Sequence, residues 1–359
     1  MEIRPRHILK HLPGPILITG HTGFKGTWLT LMLKELGISC VGYSLRPQND
    51  SLFSRLEMEG AIPEQFGNVC DFDRLLNFIQ ESQPTIILHL AAQPLVLNSY
   101  KEPRQTFSSN VMGTVNVLEA GTRTNSVKSI GIITTDKVYL NENGGKRFIE
   151  SDPLRGKDPY SASKVGAEAA VAAWQQISNL TAGPRIFSLR AGNVIGGGDL
   201  GENRIIPDIV RGILNSEETT IRNPNSTRPW QHVLDPLYGY LLAVERSLEK
   251  FNFDALNFGP SDGSLQVNDV LSEFKNYFQG DFKFKLETNS KSRNMESVTL
   301  GLDSSLAETI LGWIPKYSQR EAIKITAEWW GQVINKGTNP KIVTKQQIYD
   351  FLSIQTSSK

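Results

Sequence analysis

The sequence predicts an α/β chain built on a doubly wound parallel sheet, with a smaller C-terminal lobe. Three observations carry that expectation. Short β-rich apolar runs alternate with helical patterns, a glycine-rich turn separates the first run from the first helix, and the alternation loosens after about residue 193. The runs are 15–19, 39–45, 85–91, 129–134 and 185–190, with a weaker one at 67–69. Strands joined by helix-length crossovers lie parallel, and such a sheet is covered on both faces.

The helices between them are legible. Over 27–36 the spacing puts Trp28, Leu31, Met32 and Leu36 on one face, and Gly37 supplies a natural stop. Segments 111–120 and the alanine-rich 161–177 behave likewise, the latter starting just after Asp158-Pro159. Beyond residue 193, Gly196-Gly197-Gly198, the Asn223-Pro224-Asn225 turn and shorter mixed elements point to a lobe of inserted segments.

With 38 basic and 37 acidic side chains the formal charge is +1, so no global field recruits nucleic acid or an anionic membrane. Any anionic ligand must be held by local groups. Cys40 and Cys70 form neither a metal-spaced pair nor a disulfide framework, and read as two buried thiols of a reducing compartment. The start, with Arg4, Arg6, His7 and Lys10, lacks an apolar signal core, and no stretch is long enough to span a bilayer. A soluble, cytoplasmic protein is the expectation.

Gly20-His21-Thr22-Gly23-Phe24-Lys25-Gly26 follows the first strand and opens the first helix. Glycines so placed let the chain turn sharply, let backbone amides approach a pyrophosphate, and let the helix pack close to the strand. The helix N-terminus adds partial positive charge. The pattern predicts a Rossmann-type dinucleotide-binding unit over residues 1–192, with 228–250 returning to it, and a mainly substrate-binding lobe over 193–359. The second strand ends Tyr43-Ser44-Leu45-Arg46, without the acid that usually reads an NAD ribose. Arg46 beside Ser44 fits either a 2′-phosphate or a solvated loop, which leaves NAD and NADP both open.

Tyr160 and Lys164, at i and i+4 on a helix, share one face, so the ammonium can reach the nicotinamide ribose and the neighbourhood of the phenol. A close cation favours phenolate, which makes Tyr160 a proton acceptor for carbinol oxidation. Thr134-Thr135-Asp136-Lys137 follows the fifth run at the carboxyl edge of the sheet. Thr134 or Thr135 could complete a Thr/Tyr/Lys set. Asp136 and Lys137 are an acid and a base beyond what hydride transfer needs; the alternative is a solvated turn with an incidental ion pair.

These strings, with His89-Leu90-Ala91-Ala92-Gln93-Pro94, Asn110-Val111-Met112-Gly113-Thr114, the 190–199 segment from Arg190 to Asp199, Arg204-Ile205-Ile206-Pro207-Asp208 and Arg228-Pro229-Trp230-Gln231-His232-Val233-Leu234, resemble the CDP-glucose 4,6-dehydratases of the extended short-chain dehydrogenase/reductase family. The likeness runs from about residue 15 to the C-terminus. It implies an internal redox cycle on CDP-glucose: C4 is oxidised, the ketone acidifies the C5 proton, water leaves from C6, and the hydride returns to C6. Tyr160, Lys164 and Thr135 would serve the oxidation, Asp136 would be the acid toward the C6 hydroxyl, and Lys137 would stand at the base position, as base or as electrostatic partner.

The resemblance further implies NAD held by Gly20, Thr22, Gly23, Phe24, Lys25, Gly26, Ser44 and Arg46, then by Asn68, Val69, Leu90, Ala91, Ala92, Gln93, Asn110, Thr134, Tyr160 and Lys164. The sugar diphosphate would meet Gln93, Asn193, Arg204 and Arg228, arginine being suited to phosphate oxygens. No metal is implied, and the family suggests a homodimer or a dimer of dimers. Departures are Arg46 in place of an acid, Asn68 of an Asp, Leu97 of a basic residue, Leu200 of a Trp and Met295 of a His. The first two bear on the adenosine site, the others on base and sugar. His232, beside Trp230, reads as packed structure. A sugar-nucleotide 4-epimerase or reductase would need only Tyr160, Lys164 and cofactor, and a non-catalytic cofactor-binding protein would not need the Tyr160 and Lys164 pair.

Overall fold

Successive residues of the first strand, β1 (Ile16–Thr19), face opposite sides, and each side is apolar: Ile16 and Ile18 enter one core, Leu17 the other. Strands buried on both faces read as continuous hydrophobic runs for this reason. The structure is a computed structural model describing residues 12–142, 144–221, 224, 226–249, 252–263, 265–278, 283–286 and 300–357. Arg4, Arg6, His7, Lys10, Asn223, Asn225 and Met295 lie outside the described residues.

The central sheet holds β1, β2 (Cys40–Ser44), β3 (Glu64–Phe66), β4 (Ile86–His89), β5 (Ser129–Thr135), β6 (Arg185–Ala191) and β7 (Ala255–Phe258). Its order is β7-β6-β5-β4-β1-β2-β3, and every neighbouring pair is parallel. The five main runs therefore form strands where the sequence placed them. The weak sixth moves: β3 pairs with β2 from Gly42↔Glu64 to Ser44↔Phe66, three residues ahead of 67–69. The amide of Gly67 closes that ladder on the Ser44 carbonyl at 2.8 Å, and Val69 turns into the core instead.

Helices α1 (Phe24–Leu36), α2 (Phe72–Ser82), α3 (Gly113–Thr122) and α4 (Pro159–Thr181) connect the strands. The expected helix at 111–120 is α3, preceded by one wide π turn at Ser108–Met112. Such single wide turns recur at functional sites, and this one carries the buried Asn110. Asp158 caps α4 by accepting from the Ser161 amide at 2.9 Å, and Pro159 fills the first position, where no donor is needed.

Past residue 193 the pieces are shorter. Val194–Ile195 pairs with Gln231–His232, Thr219–Ile221 with Phe284–Leu286, and Thr227–Arg228 with Leu265–Gln266. Helix α5 (Ile205–Asn215) lies among them, α6 (Leu234–Leu248) returns to pack on β5 and β6, and α7 (Val267–Tyr277) packs on α8 (Gln319–Ile334). Helix α9 (Pro340–Ser357) lies against α1, with Lys345 and Glu35 2.7 Å apart. One apolar cluster runs from β1 through α1 and α6 into α8, so the lobe and that face of the sheet share a core. No described helix is long and apolar enough to cross a membrane.

Candidate active site

Strand order reverses between β4 and β1, and the carboxyl ends there open onto the turn that leads into α1. That crevice is where open α/β sheets take their ligands. Gly20 has φ +76°, and a Cβ on it would come within 2.7 Å of the Ala91 amide nitrogen. A Cβ on Gly26 would collide with the Gly20 carbonyl oxygen and stand 2.7 Å from His21 Cα. Gly23 between them is exposed. No side chain caps α1, and its first turn holds no acid, so its opening amides, from Phe24 on, are left for an anion. The cradle thus fits a dinucleotide pyrophosphate.

The walls are ordered by short polar bonds. Thr22 Oγ1 is 2.7 Å from Ser44 Oγ and donates to the Leu45 carbonyl at 3.0 Å. Arg46 lies on the surface with its side chain 77% exposed, 4.8 Å over the Phe66 ring and 4.0 Å from Glu59. Asn68 is exposed and its side chain accepts the Cys70 amide at 2.9 Å, while Val69 is buried. Cys70 is half-buried rather than buried, its thiol directed at the Ser108 carbonyl. Across the crevice, the Leu90 amide bonds the Thr19 carbonyl at 3.0 Å, and half-buried Ala91 and Ala92 lead to Gln93. Asn110 accepts the Gln93 amide at 2.8 Å and donates to Ser163 Oγ at 2.8 Å. The Gln93 side chain donates to Thr106 Oγ1 at 2.9 Å.

Alternation along β5 settles which threonine joins the tyrosine. Thr134 Oγ1 donates to Glu168 Oε1 at 2.5 Å, on one face, whereas the Thr135 hydroxyl is within bonding reach of the Tyr160 phenol and donates to Asp136 Oδ1 at 2.9 Å. Tyr160 is 8% exposed; burial pushes its phenol up to about 12, opposed by the Thr135 bond and by the charge of Arg204. The Lys164 ammonium donates to the Ile133 carbonyl at 3.0 Å, and burial lowers it to about 8. The charge of Arg204 favours the ionised phenol, and Lys164 is bonded to the strand beside it.

Asp136 is buried at the start of a tight turn, Asp136–Val138. Burial raises its carboxyl above the usual range, against the pull of the adjacent Lys137 charge. Lys137 is half-buried. A Cβ on Gly192 would touch both Asp136, at 3.2 Å, and Pro229, which brings the residue after Arg228 beside the acid. Arg204 precedes α5 and bonds Asp199 at 3.0 Å. Half-buried Lys25 carries its ammonium 5.9 Å over the Tyr240 ring, and burial, then Arg204 and Lys164, lower it to about 7. Cations in this cleft outnumber the carboxylates Asp136 and Asp199, the balance expected of a site for phosphates.

Asn193 is half-buried where β6 leaves the sheet, its carbonyl holding the Gln231 amide at 3.1 Å. Arg228 Nη1 donates to the Thr227 carbonyl at 2.8 Å. Leu97 and Leu200 are half-buried, the latter packed on the main core. His232 is buried edge-on to Trp28 and Tyr317, and burial lowers it to about 3, as befits packed structure.

Sequence reasoning missed Glu168 and Arg190, a buried pair 2.8 Å apart directly behind β5. Removing one member of such a pair costs about 3–5 kcal/mol. Extending the Tyr160, Lys164 spacing by four more residues would have found Glu168.

Residues 16–259 match the family described as NAD dependent epimerase/dehydratase. The chain belongs to that family. Like other NAD dependent epimerase/dehydratase proteins, it is an enzyme that uses NAD. A CDP-glucose 4,6-dehydratase of Salmonella typhimurium is 39% identical over 351 residues, 95% of this chain and 97% of that one. A UDP-glucose 4-epimerase of Rhizobium leguminosarum is 26% identical over 88% of this chain and 96% of its own length. Among solved structures of the same fold are a UDP-glucose 4-epimerase of Stenotrophomonas maltophila with bound NAD (TM-score 0.78, 20% identity, 90% of this chain and all of that one) and a dTDP-glucose 4,6-dehydratase of Bacillus anthracis with NAD (TM-score 0.73, 20% identity, 90% and 98%).

Proposed function

We propose that this chain is a sugar-nucleotide 4,6-dehydratase that converts CDP-D-glucose to CDP-4-keto-6-deoxy-D-glucose. The carrying observation is the buried Asp136 on the turn directly after Thr135, beside Tyr160. An epimerase or reductase needs no such acid, and the 39% identity to a CDP-glucose 4,6-dehydratase points the same way.

When bound, NAD supplies the hydride acceptor for C4 and the hydride donor for C6. The cradle from Gly20 to Gly26 holds its pyrophosphate, and Lys164 holds the nicotinamide ribose. Tyr160, whose ionised form Thr135 and Arg204 favour, takes the proton of the C4 hydroxyl. Asp136, whose carboxyl burial raises above the usual range, is the acid toward the departing C6 hydroxyl. Lys137 stands at the base position for the C5 proton, as base or as electrostatic partner. Arg204, Arg228, Asn193 and Gln93 hold the nucleotide diphosphate and sugar. The surface setting of Arg46, against Phe66 and Glu59, supports NAD rather than a 2′-phosphorylated cofactor. The working form is a cytoplasmic homodimer or dimer of dimers.

Incubation of purified protein with CDP-glucose should give the alkali-dependent absorbance of a 4-keto-6-deoxy sugar. A C4-inverted sugar, or no reaction with any sugar nucleotide, would contradict the proposal.

A further inference from the structure

Tyr160, Lys164 and Glu168 stand at i, i+4 and i+8 of α4, one row on one helical face. All three are buried, at 8%, 5% and 6% exposure. The row grips three successive residues of β5: Lys164 bonds the Ile133 carbonyl, Glu168 the Thr134 hydroxyl, and Tyr160 meets the Thr135 hydroxyl. Both Glu168 oxygens are filled, Oε1 by Thr134 and by Arg190 Nε at 2.9 Å, Oε2 by Ser188 Oγ at 2.7 Å and Arg190 Nη2 at 2.8 Å. Arg190 is anchored beyond by Tyr139 Oη and the Glu150 carbonyl, each at 2.9 Å. A carboxylate fixed this firmly has one position.

We propose that Glu168 is a positioning residue for this reaction: its carboxylate backs the Lys164 ammonium, and its bond to Thr134 sets the register in which β5 presents Thr135 and Asp136 to Tyr160. This rests on the dehydratase reading and adds to it a group placed behind the site. Burial pulls Lys164 down, and Glu168 opposes the fall. The other titratable groups about Lys164 are Tyr160 on its own helix, Lys25 on α1 and His89 on β4. Around Glu168 stand Arg190, with Tyr139 beyond it, and the hydroxyls of Thr134 and Ser188. Without the carboxylate, Lys164 gives up its proton at lower pH, so the alkaline limb of the rate profile moves down. Glu168 acts directly on neither Lys25 nor Asp136, and Lys25 feels it only through the charge of Lys164, so a movement caused by Glu168 enters through Lys164.

The test is the pH profile of kcat on CDP-glucose for the NAD-loaded wild type, Glu168→Asp and Glu168→Gln. The Gln variant should lower the alkaline limb by about one pH unit. The Asp variant, with charge kept and arm shortened, should lose rate with its limb in place. If Glu168→Gln does not fold, the double variant Glu168→Gln, Arg190→Met buries no unpaired charge, and its limb should move likewise. A limb that overlays the wild type in the Gln or the double variant overturns the proposal, whatever stability is lost. A wild type that oxidises no sugar nucleotide at any pH is a different result, and overturns the dehydratase reading together with what rests on it.

Discussion

Between Gly20 and Gly26 the proposed cofactor side of the site is shaped by side chains that are missing, whereas between Thr134 and Lys137 the proposed sugar side is shaped by where side chains reach. At the first, the Gly20 carbonyl and the Ala91 amide occupy the space a Cβ would need, and the backbone itself forms the cradle. At the second, neighbouring threonines differ in neighbour, one at Glu168 and one at Tyr160, and a single residue step decides which stands at the tyrosine. The cradle should therefore fail through sterics and affinity, and the β5 cluster through rate.

The largest effect is expected at the cluster. Tyr160→Phe removes the proton acceptor, and loss of a positioned acid or base costs roughly 100-fold to 10,000-fold in rate. Turnover should vanish while calorimetry still finds NAD binding; near-normal turnover would break the contrast. Gly26→Ala should do the reverse. In an ordinary helix the change stabilises by about 1 kcal/mol, but here the added carbon meets the Gly20 carbonyl. Cofactor affinity and melting temperature should both fall, and unchanged NAD binding would show that the close approach is unimportant.

Asp136→Asn and Lys137→Arg should leave C4 oxidation working and slow elimination by about 100-fold, so reduced nicotinamide accumulates in rapid-mixing absorbance traces. Arginine keeps the charge but cannot act as a base, so normal turnover in that variant would make Lys137 an electrostatic partner. Arg46→Ala should change least. A surface substitution of this kind stays within about 0.5 kcal/mol, so NAD affinity should shift by no more than about twofold. A larger loss would place the guanidinium on the cofactor.

The same contrast explains what could be read in advance. The glycine spacing and the five apolar runs are local patterns that the fold obeys, and both appear where the sequence puts them. Strand β3 was misplaced because Val69, the apolar residue that suggested it, serves the core just after the strand ends. The choice between Thr134 and Thr135 depends on which face of β5 looks at α4, a fact of packing that composition does not carry. Glu168 and Arg190 lie 22 positions apart and meet only because β6 lies beside β5. The charge of Arg204 at the phenol is likewise a long-range outcome: an arginine preceding α5 acts on a residue of α4.

The internal hydride cycle is tested most directly by supplying CDP-glucose carrying deuterium at C4 to the NAD-loaded protein and locating the label by NMR. Deuterium at C6 of a 4-keto-6-deoxy product is the expected result. Label retained at C4, or a product with no deuterium at C6, would contradict it.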